Sequence, residues 1–140
     1  MITYRRSVAS MSVQLEAAKT DAKEQIVEAV RVVRLKYVTD MPGQELIYNE
    51  KRIEAERYLS ILPRLLNLDG YPFIEAEVGI TGATAEEVAQ VFLARAGLWV
   101  QVGAALEAIR LSASHSIEAS TTVAEIDAAL ATLYSSLSVF

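Results

Sequence analysis

TAEEVAQVFLARAGLWVQVGAALEAIRLSAS, residues 84–114, is the stretch on which the fold turns. It opens with Thr84-Ala85-Glu86-Glu87, a capping box in which Thr84 takes the N-cap and Glu87 reaches back to it. Apolar residues then recur in steps of three and four at Val88, Phe92, Trp99, Val102, Leu106, Ile109, Ala113 and Ile117, the signature of one helix face. Arg95 falls on the same stripe. From Val88 to Ser114 the only charges are Arg95, Glu107 and Arg110, and the off-stripe positions are mostly alanine, glycine, leucine and valine. A helix apolar on most sides is expected to be buried on most sides. Two coverings stay open: the other helices of this chain, or copies and partner proteins. Small residues such as Ala94, Gly97 and Ala104 let helices approach closely, and Val139-Phe140 adds apolar surface at the C-terminus.

The flanking sequence reads the same way. Gln44 to Leu62 is a helix with Ile47, Tyr48, Ala55, Tyr58, Leu59 and Leu62 on one face, ended by Pro63. Asn67 to Pro72 is a loop, Phe73 to Val78 a short helix, and Gly79-Ile80-Thr81-Gly82 a turn. A second capping box, Thr122-Val123-Ala124-Glu125, opens a last helix with Val123, Ile126, Leu130, Leu133 and Leu137 on one side. At the other end, Ser7 to Val38 carries Val8, Met11, Leu15, Ala18, Ala22, Ile26, Ala29, Val33 and Tyr37 at helical spacing, until Asp40-Met41-Pro42-Gly43 breaks the pattern. The expected fold is all-α, an elongated bundle of about four helices with a long N-terminal helix, divided into residues 1–42 and 43–140.

The N-terminal helix would run about 48 Å at ~1.5 Å per residue. A compact domain of this length has a radius of gyration near ~14 Å. So long a helix overhangs unless it packs in an elongated bundle or on another chain. Its first half has the thinner stripe, and a lone helix with so narrow a face is marginal in water. Residues 1–25 are therefore a predicted docking segment, with Val8, Met11 and Leu15 as partner-binding anchors; the alternative is that the helix lies along the 84–114 helix.

Composition narrows the chemistry. The chain has 140 residues, no cysteine, one histidine and a net charge of −5. Disulfides, thiolate chemistry and multi-histidine metal sites within one chain are excluded. His115 lies beside Ser114 and Ser116, but sequence neighbours on a helix do not face each other. The carboxylate pairs Glu54/Glu56, Glu75/Glu77 and Glu86/Glu87 have no histidine at metal-ligand spacing. After Gly70 only Arg95 and Arg110 stand against eight acids, so no basic stripe offers itself to nucleic acid. No uninterrupted apolar run has the ~20 residues of a membrane span. Arg5-Arg6 is followed by Ser7, Ser10 and Ser12 rather than an apolar signal core. The reading is of a non-enzymatic chain without cofactor or metal, binding neither nucleic acid nor membrane. Trp99 is expected in the core. Arg95 is expected to snorkel, or to pair with Glu54, Glu75 or Glu77 and set helix register.

Two stretches carry a family resemblance. The first is Gly43-Gln44-Glu45-Leu46-Ile47-Tyr48, continuing through Lys51, Glu54, Ala55 and Tyr58. The second runs from Tyr71-Pro72-Phe73-Ile74-Glu75-Ala76-Glu77, through Ala94-Arg95-Ala96-Gly97-Leu98-Trp99 and Glu107-Ala108-Ile109-Arg110, to Ala119-Ser120-Thr121-Thr122. Together, over residues 43–126, they resemble small helical proteins and helical domains of tailed-bacteriophage tail modules, encoded beside or within tail-fibre genes. Ser120 departs from the alanine usual before the two threonines. The resemblance carries no catalytic residue. It implies a virion structural protein whose partners are other tail proteins or further copies of the chain, made in the host bacterial cytoplasm and ending in the virion. Fibre, baseplate, capsid accessory and transient tail-fibre assembly chaperone all stay open.

Overall fold

The computed structural model describes residues 7–140. Its elements are α1 (Val8–Arg34), α2 (Gln44–Leu59), α3 (Pro72–Glu77), α4 (Ala85–Ala119) and α5 (Val123–Leu137), with no strand among the described residues. The protein is all-α with four substantial helices. Its contacts divide it into two compact units: Thr39–Val102, and Met1–Val38 together with Gly103–Phe140. The 42/43 boundary read from sequence lies near the first seam; the second seam falls inside α4.

Helix starts follow the capping residues. Ser7 accepts the N–H of Ser10 at the head of α1. At α4, Thr84 Oγ1 accepts the N–H of Glu87 at 3.2 Å while Glu87 accepts those of Thr84 and Ala83, closing the predicted box. At α5, Thr122 accepts the N–H of Glu125 at 3.2 Å, but Glu125 reaches one residue further back, to the N–H and hydroxyl of Thr121. The helix ends differ more from the sequence reading. α1 stops at Arg34 rather than Val38, tightening into three-residue bonds from Lys36 to Val33 and Tyr37 to Arg34. α2 stops at Leu59, three residues short; Pro63 has no N–H to give the Leu59 carbonyl and its ring clashes with that carbonyl, so the helical ladder does not continue. α4 runs past the Ser114-His115-Ser116 stretch to Ala119, since Ile117 is fully buried and holds the last turn down.

In the Thr39–Val102 unit, Ala55 and Tyr58 of α2, Tyr71, Ile74 of α3, and Val88, Ala89 and Phe92 of α4 form one buried cluster. Tyr58 and Tyr71 meet edge to face at 5.5 Å, a favoured aromatic geometry. Gly82 makes the turn into α4 possible: a Cβ there would sit 2.9 Å from that of Glu87 and 3.0 Å from the Val88 nitrogen.

In the other unit, α1 packs along α5 and against the C-terminal part of α4. Lys19 donates to the Glu118 carbonyl at 2.8 Å and Lys23 pairs with the Glu118 carboxylate. Tyr134 of α5 donates to Gln25 at 3.3 Å, and Tyr37 to the Phe140 carbonyl at 3.5 Å. Ala22, Ile26, Val30 and Val33 of α1 are buried with Leu106, Ala113 and Ile117 of α4 and Ile126, Leu133 and Leu137 of α5.

Candidate functional site

The carboxylates that come in pairs along the sequence separate in space into single structural tasks. Glu54 is 4% exposed and accepts the N–H groups of Phe73 and Ile74, each at 3.1 Å. It caps α3, a helix whose own preceding residue, Tyr71, makes no side-chain cap. Glu56 pairs with Arg52 on the same helix. Glu77 takes the Lys51 ammonium and the Thr81 hydroxyl. Burial pushes the Glu77 carboxyl up, but the hydrogen bonds from Lys51 and Thr81 and the nearby charges of Lys51 and Arg95 outweigh it and hold it below the usual value. Glu86 meets Arg64 at 3.3 Å. Lys51 also lies 5.0 Å from the centroid of the Phe92 ring. His115 is exposed. Among the described residues no group of three or more histidine, cysteine, aspartate or glutamate side chains is placed to hold a metal ion.

What the structure does present is apolar helix surface. α4 is 35 residues long, and between Val88 and Ala105 only Val88, Ala89, Phe92 and Val102 are buried. Uninterrupted apolar runs are short, as the sequence suggested, but averaged over a window α4 is long and apolar enough to cross a membrane by length and composition alone. The chain's own helices leave Leu98 52%, Val100 65% and Leu111 52% exposed. Among the described residues, burial on most sides of α4 is therefore not achieved.

The stripe residues of α4 divide accordingly. Val88, Phe92, Val102, Leu106, Ala113 and Ile117 are buried, but no residue from Leu93 to Gln101 is. Arg95 and Trp99 fall in that stretch. Arg95 is exposed rather than snorkelling out of a core, and the direct partner of Glu77 is Lys51, with Arg95 acting on it only through its charge. Trp99 is half-buried, not a core residue. The physical reason is shared: helical spacing reports a common face, but whether anything covers that face is decided by other elements.

The predicted anchors lie on the described part of α1; Met1–Arg6, the rest of the predicted docking segment's start, falls outside the described residues. Val8 is 85% and Met11 56% exposed, while Leu15 is half-buried. Burial on α1 begins only at Ala22.

Two features had no signal strong enough to be singled out in the sequence. One is the exposure of Leu66 and Ile80 in the Thr39–Val102 unit, where Leu62, expected on the α2 stripe, is also exposed because α2 ends before it. The other is an open groove of about 770 Å³ between α4 and α5, lined largely by small residues including Ala108, Ser112, Ser116, Ala128, Ala129 and Thr132, with Leu133 in its floor and Glu125 among its walls. The small residues were legible as an aid to close helix approach; that they flank an open groove depends on how the hairpin is set.

No protein-family model, curated protein or solved structure matches this chain.

Proposed function

We propose that this chain is a non-enzymatic structural subunit of a tailed-phage virion, associated with the tail or tail fibre, which assembles through its exposed helix faces. The observation that carries the reading is α4: a 35-residue helix on which Leu98, Val100 and Leu111 each stand more than half exposed. Apolar surface of that extent on a chain of this size favours association. Protein is a better covering than lipid for two reasons. Val88, Ala89 and Phe92 commit one part of α4 to a protein core, as Leu106, Ala113 and Ile117 commit another. Arg95 stands in the exposed stretch, and an arginine near the centre of a spanning helix costs about 2.5–3.5 kcal/mol by insertion scales. The resemblance of residues 43–126 supplies the virion context.

Quantitative mass spectrometry of purified particles tests this reading. The chain is expected in a fixed, repeated copy number. Its absence from finished particles, with recovery alongside fibre protein in infected cells, would replace the structural role with that of an assembly chaperone.

A further inference from the structure

Three residues of α2, spaced in steps of three, each hold a different point of the segment that follows that helix. Lys51 pairs with Glu77, and Glu54 accepts the N–H groups of Phe73 and Ile74. Arg57 donates to the Gly70 carbonyl, and its guanidinium lies 4.6 Å from the centroid of the Tyr71 ring. As the α2 position advances, the partner position retreats. Residues 70–77 therefore lie antiparallel along α2, with a polar tie at each end and one in the middle. Positions three apart on a helix are neighbours, so the ties form one row.

The segment is bounded by two glycines in the left-handed region, Gly70 with φ +84° and Gly79 with φ +86°. A Cβ at either would meet nothing within 4 Å, so neither glycine serves close packing. What each supplies is a backbone conformation that other residues rarely adopt, and with it a change of chain direction. Between them α3 has six residues, too few to stay helical unsupported. Its support comes from α2 through the three ties, and from Tyr71 and Ile74, which pack with Ala55, Tyr58, Val88, Ala89 and Phe92. We infer that residues 70–79 are a hinged strap: they leave α2 and α4 as one unit, turning about Gly70 and Gly79, while the two longer helices stay folded.

Contacts outside the strap keep its two supports together while it is open. Arg64 donates to the carbonyls of Leu59 and Ile61 at the end of α2 and meets Glu86 in the first turn of α4 at 3.3 Å. On the far side, the N–H of Gly79 bonds the Gly82 carbonyl at 2.7 Å, and Glu87 accepts the N–H of Ala83 at 2.7 Å, so the turn into α4 has bonds of its own. Opening is all-or-none because α3 cannot persist half attached: losing one tie frees a turn of helix that the others cannot hold. Opening uncovers Ala55 and Tyr58 of α2 and Val88, Ala89 and Phe92 of α4, apolar surface that the closed strap hides. The strap does not depend on the assembly reading above.

Amide hydrogen exchange of the full chain tests this, read residue by residue by NMR at several low denaturant concentrations. The bonded amides of Tyr71, Phe73, Ile74, Glu75 and Val78 are the reporters. They should share one degree of protection, at least about tenfold below that of the Tyr58 and Phe92 amides in α2 and α4. Their exchange should also rise less steeply with denaturant, because opening the strap exposes less surface than unfolding the unit. Two substitutions separate a unit from independent fraying, and both leave the Glu54 cap in place. Lys51→Met acts at the Glu77 end yet should speed exchange at Tyr71 about threefold or more. Arg57→Met acts at the Gly70 end yet should speed exchange at Val78. Strap amides with the protection and denaturant slope of Tyr58 and Phe92 would overturn the inference, since the segment would then open only with the whole unit. Effects confined to the end at which each substitution acts would overturn it as well.

Discussion

Replacing Glu54 by alanine should destabilise the protein far more than any exposed acid would. Glu54 is 4% exposed, and its two carboxylate oxygens each accept a backbone N–H of α3, from Phe73 and Ile74. Glu54→Ala leaves both donors without their partner. An unsatisfied buried donor costs about 1–3 kcal/mol. Ile74 is fully buried and takes the full penalty; Phe73 is half-buried, so water recovers part of its share. The expected loss is about 2–4 kcal/mol. Because α3 has six residues, it cannot persist on helix propensity alone. For a chain of this size about 3 kcal/mol lowers Tm by roughly 10 °C. Urea titration followed by circular dichroism, with the fluorescence of the single tryptophan, Trp99, as a second probe, reads the effect. Glu54→Gln keeps one acceptor but turns an amide NH2 toward a donor, and should fall between alanine and wild type. Glu56→Ala, two residues away on the exposed side, should stay within about 0.5 kcal/mol. A loss below about 1 kcal/mol for Glu54→Ala would refute the reasoning, showing that α3 does not depend on this cap.

Further outcomes follow from the same geometry. Glu77 is held below its ordinary 4.5 in the folded chain. A depressed carboxyl contributes stability that is present above the unfolded value and lost as pH falls through the folded one. Glu77→Gln should therefore flatten the fall in stability below about pH 4.5, measured by denaturant titration at several pH values; an unchanged acid profile would contradict it. Trp99→Ala should cost less than the ~3–5 kcal/mol of a fully buried aromatic, because Trp99 is half-buried; a loss in that range would place the side chain in a core after all. Thr84→Ala removes the α4 cap and should cost about 1 kcal/mol, checked by thermal melting. Deleting residues 1–14 should leave helicity per residue nearly unchanged, since the fully buried residues of α1 begin at Ala22; unfolding would show that the first turns of α1 support the core.

Much of the fold was legible because it is locally encoded. Thr84 with Glu87, and Thr122 with Glu125, announced two helix starts that the hydrogen bonds reproduce. The stripes of α1 and α5 correctly contained Ile26, Val33, Ile126, Leu133 and Leu137. What escaped depends on residues distant in sequence. Nothing near Glu54 indicates that its carboxylate will cap a helix beginning at Pro72. Arg95 and Trp99 share the α4 stripe, yet among the described residues Arg95 is left exposed and Trp99 only half-buried, since burial depends on elements distant in sequence. The candidate site was half legible: the thin, uncharged start of α1 marked Val8, Met11 and Leu15, while the α4–α5 groove arises only once two helices of small residues are set side by side.

On the assembly proposed above, other protein chains cover the apolar helix surface that α4 leaves open. A side-chain-resolution density map of the purified particle tests it most directly. Leu98, Val100 and Leu111 of α4, here 52%, 65% and 52% exposed, are expected to be packed against protein from neighbouring chains. Finding the chain in the particle with those side chains facing solvent or lipid would contradict it.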